Sequence, residues 1–426
     1  MIKSTRKSKA IKVAAAAAAL GSLAAIGFAG GSPAQADPQQ YKAIIAVGSD
    51  TTQDVTNAFA GFSSGINYIP LQSTTASQTQ IISFDAGATS CIATKTGAGL
   101  ILRPNGSSGG RRALSKIGLG LSDWGAGSPC GGKDVTGLIN FARSSSGPAL
   151  QGTAPNQVPD TGTDLTYVPF ARDALSFAYY SADGTSETST TQSNLTDIYT
   201  NGTGKIGTTP VIPCGIQTSS GTYGSWNTNV GVSGTVSEAG TAFCRGVLGV
   251  PDATGRLQEH NGPQLKIKGD IIAGNGTTVP ALQNSLCDGI KDGPLVSCSG
   301  VQVIIGFSAS QFVARSNGLA DPAPGPGVGM GSIDNQPFVT GTAPSVTAVA
   351  AGYANTTFGR DVYNVFLSPV IDDTSNGVLQ SLFVGPTSAV CSALADVTVT
   401  SLGFVPLSNA ACGTTTLRGS YFLGNS

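Results

Sequence analysis

The feature that most restricts this chain is a repeated pattern: a short apolar run, a loop of glycine and small hydroxyl residues, then apolar residues at helical spacing. It first appears at residues 44–55, "IIAVGSDTTQDV". Ala43 to Val47 is the kind of run that fills the middle of a parallel sheet, and Val55, Ala58, Phe59 and Phe62 recur with helical period. Gly48 frees the backbone at the turn, and Ser49, Asp50, Thr51 and Thr52 supply cap oxygens. The helix start then presents unpaired backbone N–H groups with a partial positive charge. Such a place either caps its own helix, through Asp50 or Thr52, or holds an anion.

The pattern returns in "GLILRPNGSSGGRRALSKI", in "IGLGLSDWGAG" and in "VIPCGIQTSSGTYGSW". Between them, "LTYVPFARDALSFAYY" reads as a long β segment and "QSNLTDIYTNG" as a short helix with a glycine stop. "VQVIIGFSASQFVAR" is a further apolar strand, "ADPAPGPGVGMG" a linker, and "GRDVYNVFLSPV" the clear strand of the C-terminal part. This alternation predicts an α/β fold of two lobes, each a parallel-type sheet with helices against it. In an open α/β sheet the strand ends lie along one edge. The loops at Ser49 to Thr52, Asn105 to Gly110, Ser122-Asp123 and Thr218 to Thr222 are therefore expected to converge on one oxyanion.

A length of 426 residues also suits two cores. Residues 1–36 stand apart from both. A basic head (Lys3, Arg6, Lys7, Lys9, Lys12), an Ala-rich apolar run and Ala34-Gln35-Ala36 before Asp37 have the form of a secretion signal cleaved after Ala36. No cysteine stands near that point, so a lipid anchor of the usual bacterial kind is not expected, and the mature protein is expected outside the cell or associated with its envelope. Without the signal the chain has 18 Lys+Arg against 24 Asp+Glu, a formal net charge of −6, which argues against nucleic acid as a partner. With 11% charged residues and 58 glycines, the surface must be covered largely by Ser, Thr, Asn and Gly. Eight cysteines, Cys91, Cys130, Cys214, Cys244, Cys287, Cys298, Cys391 and Cys412, are an even number in an exported chain, so disulfides are expected. Neighbour pairing is the simplest arrangement, led by Cys287 with Cys298 and Cys391 with Cys412. No C-x-x-C occurs and His260 is the only histidine, so neither a metal site nor a cofactor is expected.

In order along residues 43–366, "VGSDTTQD", "NGSSGGRRAL", "LGLSDW", "VPFARDALSFAYY", "LTDIYTNGTGKI", "SSGTYGSW", "IIGFSASQFVA" and "RDVYNVF" resemble segments of a known family. It is the phosphate-binding (PstS-like) group of bacterial periplasmic substrate-binding proteins, the receptors of phosphate ABC importers, and more closely their exported actinobacterial branch. The resemblance implies a two-lobed type II periplasmic-binding-protein fold with two hinge crossovers. The first lobe would comprise residues 37–165 with 320–426, and the second 166–319. It implies Thr51 and Thr52 as first-loop donors, Ser107 or Ser108 as second-loop donors, and Ser220, Gly221 and Thr222 as third-loop donors. Asp123 would be the carboxylate that accepts a proton from a protonated phosphate and rejects sulfate. The chain departs from the family where an arginine commonly precedes the Ser-Gly-Thr triplet: here stand Ile216 and Gln217. Gln217 donates hydrogen bonds without charge, so compensation is expected from Arg172 or Arg111. Arg111 and Arg112 otherwise read as a solvated helix face.

The expected function is thus capture of a small oxyanion, phosphate first, by a monomeric binding protein that serves an ABC importer permease. The alternative is an exported surface or structural protein that reuses the fold without transport, favoured by the missing anchor and the missing arginine. An enzyme is not expected. "GSSGG" fits the nucleophile-elbow pattern with Ser108 as nucleophile, but the sole histidine lies in the polar "RLQEHNGPQLK" and reads as exposed. Asp372-Asp373 reads as a turn.

Overall fold

The computed structural model describes residues 43–61, 81–149, 158, 160–232, 256–260 and 301–424, with breaks at 88–89, 182–183, 185 and 203, and two short strands at 244–246 and 265–267. The predicted signal and its cleavage site, Phe62, Cys287 and Cys298 lie outside the described residues, as does the side chain of Cys244.

The alternation expected from the sequence forms one large mixed sheet. Its principal strands are β1 (Ile44–Gly48), β2 (Ile81–Ser83), β3 (Phe141–Ser144), β4 (Leu165–Ser181), β5 (Gly204–Ile206), β6 (Thr209–Cys214), β7 (Gln302–Ser308) and β8 (Gly359–Leu367). They run in the order β2-β1-β3-β8-β4-β7-β6-β5. β1 is parallel to β2 and β3, and β7 is parallel to β6, whereas β4 is antiparallel to both β8 and β7. The principal helices are α1 (Gln53–Phe59), α2 (Gly106–Gly118), α3 (Gln192–Asn201), α4 (Gly221–Val230), α5 (Ala309–Ser316), α6 (Gly377–Phe383) and α7 (Ala393–Ser401). The class is α/β.

β4 joins the two parts of the sheet. Its 17 residues pair with β8 from Leu165 to Ala174 and with β7 from Leu175 to Ser181. On the first side, β1, β3 and β8 pack against α1, α6 and α7 through Val55, Phe59, Phe141, Phe366 and Phe383, and a second cluster packs Ala113 and Leu114 of α2 with Ile45, Val47, Ala142 and Val365 of the same strands. On the second, Leu195, Ile198, Tyr199 and Trp226 of α3 and α4 share a core with Leu175, Phe177 and Ile304, and Ile333, Phe338, Tyr353 and Phe358 join it.

Two expectations change. "IGLGLSDW" is no strand: α2 continues to Gly118, and Leu119 and Leu121 are exposed in the turn that follows. The third strand of the β1 side is β3, "FARS", whose Arg143 is completely buried and donates to Ser49 O (3.1 Å), Ser83 Oγ (2.7 Å) and Phe84 O (2.8 Å). Its guanidinium ties together the ends of β1 and β2. Secondly, "VQVIIGFSASQFVAR" is a strand and a helix, because Ser308 caps α5 by accepting from Gln311 N–H.

Cys91 is bonded to Cys130 and Cys391 to Cys412, as neighbour pairing requires, and Cys214 is also in a disulfide. No helix among the described residues is long and apolar enough to cross a membrane.

Candidate functional site

Three of the four strand-end loops meet. The β1 loop touches the start of α2 through a bridge between Gly48 and Asn105, and the start of α2 touches the start of α4 through Ser108 N–H donating to Ser219 O (3.0 Å). Gly106 makes that approach possible: its φ is +69°, and a Cβ there would lie 2.2 Å from Ser219 O. Ser107 faces the end of β3, with Ser145 N–H donating to its Oγ at 3.0 Å. A Cβ on Gly221 would lie 2.7 Å from both Ser107 Oγ and Ser145 Oγ, so this glycine lets the α4 start close onto both serines.

At the meeting point the hydroxyls already hold an anion, and it belongs to the protein. Thr51 and Thr222 both donate to Glu259 Oε1 at 2.7 Å, and Ser220 donates to Glu259 Oε2 at 2.6 Å. Thr51 Oγ1 and Thr222 Oγ1 are themselves 3.1 Å apart. Ser220 also caps α4, accepting from Thr222 N–H at 2.9 Å. Glu259 is wholly buried. Burial and the nearby charge of Asp50 push its pKa up, while Arg360 and the hydroxyl donors pull it back.

Glu259 arrives on residues 256–260. Leu257 anchors this segment in the core and pairs with the β6–α4 loop, Gln217 N–H donating to Leu257 O at 2.8 Å and Leu257 N–H to Gly215 O at 2.9 Å. Its neighbours hold the first loop. Gln258 Nε2 donates to Asp50 Oδ2 at 3.0 Å, and His260 Nδ1 lies 3.1 Å from the same oxygen. Asp50 does not cap α1, and Thr52 stands at the N-cap position without a side-chain capping bond, its hydroxyl buried without a partner among the described residues. Burial raises the Asp50 pKa, but His260 and Gln258 lower it overall. His260, expected to be exposed, is mostly buried in this pair. An Nδ1–Asp pair is what a Ser-His-Asp triad would use to orient its histidine, but among the described residues no contact joins His260 to Ser108, whose Oγ accepts from Arg111 Nη2 at 3.4 Å.

The charge absent at Gln217 comes from a residue the sequence reading passed over. Arg360 of β8 donates through Nη2 to Thr222 Oγ1 at 2.7 Å, and through Nε and Nη2 to the buried Asp173 Oδ2 at 3.1 and 2.8 Å. Its Nη1 has no partner among the described residues, and neither does the side-chain amide of buried Gln217. Arg172 points elsewhere, to Tyr353 O and Asp361. Arg111 does not lie on a solvated face: it is 4% exposed and donates to Gly147 O at 3.0 Å.

Asp123 is not brought to this cluster. It is exposed and accepts from Lys116 Nζ at 2.7 and 2.8 Å, at the C-terminal end of α2, whose N-terminal end makes the site. Ten residues of helix, about 15 Å, separate Lys116 from Gly106. The small polar residues that do reach the cluster from the third strand are Ser144 to Ser146. Asp372 and Asp373 occupy a turn, as expected, with Asp373 accepting from Ser375.

No protein-family model matches the chain, and no curated protein matches it. Among solved structures it is similar to a Clostridium perfringens protein assigned as a phosphate ABC transporter substrate-binding protein with bound phosphate, at 13% identity and a TM-score of 0.43, over 86% of this chain and 99% of that one. It is also similar to an ABC-type phosphate transport receptor from Vibrio cholerae (12% identity, TM-score 0.38, 85% and 99%). A phosphate-binding protein from Stenotrophomonas maltophilia is a third (12%, 0.38, 87% and 91%).

Proposed function

We propose that the chain is an exported binding protein for a small oxyanion, with phosphate the first candidate, and that Glu259 holds the ligand's place until one enters. The observation that carries this reading is the convergence of three hydroxyls, from loops about 170 residues apart in sequence, on the two oxygens of one carboxylate. Oxygens of a tetrahedral oxyanion accept from the same donors, and the unpartnered Arg360 Nη1 supplies a charged donor beside them. The ligand would enter as the lobes open, displace the 256–260 segment and be enclosed as they close. The lobes proposed are residues 37–165 with 320–426, and 166–319. A leader cleaved after Ala36 and paired cysteines fit a protein working outside the cytoplasm, and a permease of an ABC importer is the partner proposed.

Glu259 also favours a second reading. A carboxylate with no exposure that saturates three donors does the work of a ligand permanently, which suits a surface or structural protein closed by its own side chain.

Calorimetry of the refolded mature protein with phosphate and sulfate, beside a Glu259→Ala variant, separates the two. Binding of phosphate by the native protein, tightened at least tenfold in the variant, supports a displaceable place-holder. Binding by neither protein, with both shown to be folded, rejects the oxyanion reading. Binding by the variant alone supports the permanently closed form.

A further inference from the structure

A cavity of about 410 Å³ opens between α2 and α4, beside the Glu259 cluster and sharing with it Ser220 and Gly221. Its wall includes the guanidinium of Arg111, which is 4% exposed and stacks 4.5 Å above the ring of Phe422. Three other buried arginines have acids to answer them. Arg360 pairs with Asp173 at 2.8 Å and Arg315 with Asp54 at 3.6 Å, and Arg143 feels Asp85, Asp50 and Asp54. Arg111 has no such partner: among the described residues it meets only Gly147 O, Tyr167 Oη and Ser108 Oγ, and its Nε meets nothing.

A cation taken out of water without a counter-charge is costly, and a cavity at its side is where the counter-charge can sit. The first turn of α4, a helix of 10 residues, lines the same space and adds its partial positive charge. The remaining wall sets the rest of the ligand. Ser225, Thr228 and Asn229 along α4 offer hydroxyl and amide groups, and Phe422 offers an apolar face. The volume lies in the roughly 300–1,000 Å³ range of small-molecule sites, which is more room than a bare tetrahedral anion needs.

We propose that this cavity binds a small anionic sugar, a phosphorylated or carboxylated monosaccharide, with the anionic group on Arg111 and the hydroxylated body along α4. The cavity borders the oxyanion site at Ser220 and Gly221 but is not lined by Thr51, Thr222 or Glu259, so the two readings can fail separately.

The test is calorimetry of the mature protein with glucose 6-phosphate, glucuronate, neutral glucose and inorganic phosphate, with three variants. Arg111→Met is expected to weaken the sugar anions about tenfold or more, the loss of one charge-assisted contact. Gly224→Leu fills the space from α4, where an added Cβ meets nothing within 4 Å, and is expected to abolish sugar-anion binding in a folded protein. Glu259→Ala is expected to leave sugar-anion affinity within threefold while it alters phosphate binding. The proposal is overturned by no heat with either sugar anion, by affinity unchanged in both Arg111→Met and Gly224→Leu, or by inorganic phosphate matching the sugar anions. A strong dependence of sugar-anion affinity on Glu259 also rejects it, by assigning the ligand to the hydroxyl cluster. Silence toward phosphate with retained binding of the sugar anions would reject the oxyanion reading alone.

Discussion

Buried and half-buried side chains carry most of the chemistry here, and their titration makes it measurable. Asp54, at the start of α1, faces Arg315 at 3.6 Å, yet burial outweighs that attraction, and Asp85 and Asp50 add to the push, so its pKa is raised to about 7. The folded state then holds the Asp54 proton more firmly than the unfolded chain does. Between about pH 4 and pH 7 stability should fall as pH rises, by at most about 1.4 kcal/mol per pH unit from this one group. Asp50 runs the other way: its lowered pKa adds stability that is present at neutral pH and lost as the pH drops below the ordinary aspartate range. Urea denaturation across pH 4 to 8 should show the fall, and Asp54→Asn should lessen it, with the raised Glu259 acting in the same direction; a variant that keeps the full wild-type slope would assign the titration elsewhere. Legibility at this scale was uneven. Thr51, Ser220 and Thr222 were visible as hydroxyls after apolar runs. Arg360 was visible in principle, since "FARDAL" and "FGRDVY" lie on strands that pair antiparallel, setting each arginine opposite the other strand's aspartate. Glu259 gave no local signal: a polar pentapeptide acquires a buried role only when Leu257 docks in the core.

The helices that bear the site are located by close backbone contacts more than by their own stability. α4 rests on β7 at Gly306, where an added Cβ would come within 2.3 Å of the Trp226 ring. Gly306→Ala should therefore push α4 outward. We expect a stability loss of about 1–3 kcal/mol, together with weaker anion binding as Ser220 and Thr222 leave their positions. Denaturation followed by the fluorescence of Trp226, one of two tryptophans, reads both the displacement and the loss; an unshifted midpoint and spectrum would show that α4 tolerates the methyl group. The elements themselves followed from periodicity wherever apolar residues dominated, as in β4 and β7. β3 did not, because its four residues include Arg143, whose burial depends on carbonyls contributed by the residues just after β1 and β2. With that strand unread, the apolar stretch before Asp123 took its place in the expected site, though its leucines face solvent.

At the scale of the whole molecule, the site and the junction of the sheet share one residue. Asp173 lies where β4 changes partners, next to Ala174, which pairs with Gly359, and Leu175, which pairs with Ser308. Its carboxylate is fully buried. One oxygen accepts from Ser308 Oγ (2.9 Å), Ser310 Oγ (2.6 Å) and Ser310 N–H (3.1 Å), and the other accepts from Arg360. The strand crossing, the cap of α5 and the arginine that reaches Thr222 are thus fastened at a single point. Removing that carboxylate leaves Arg360 buried without its ion-pair partner, a change of about 3–5 kcal/mol. Asp173→Ala should accordingly lower stability by an amount in that range and weaken anion binding as well, because the guanidinium loses the contact that aims it. Asp173→Asn, which keeps the shape but not the charge, should recover part of the stability and little of the affinity. Equilibrium denaturation and calorimetry on the same two variants decide the matter. Stability lost with affinity intact would mean that Asp173 fastens the sheet only, and that Arg360 finds Thr222 without it.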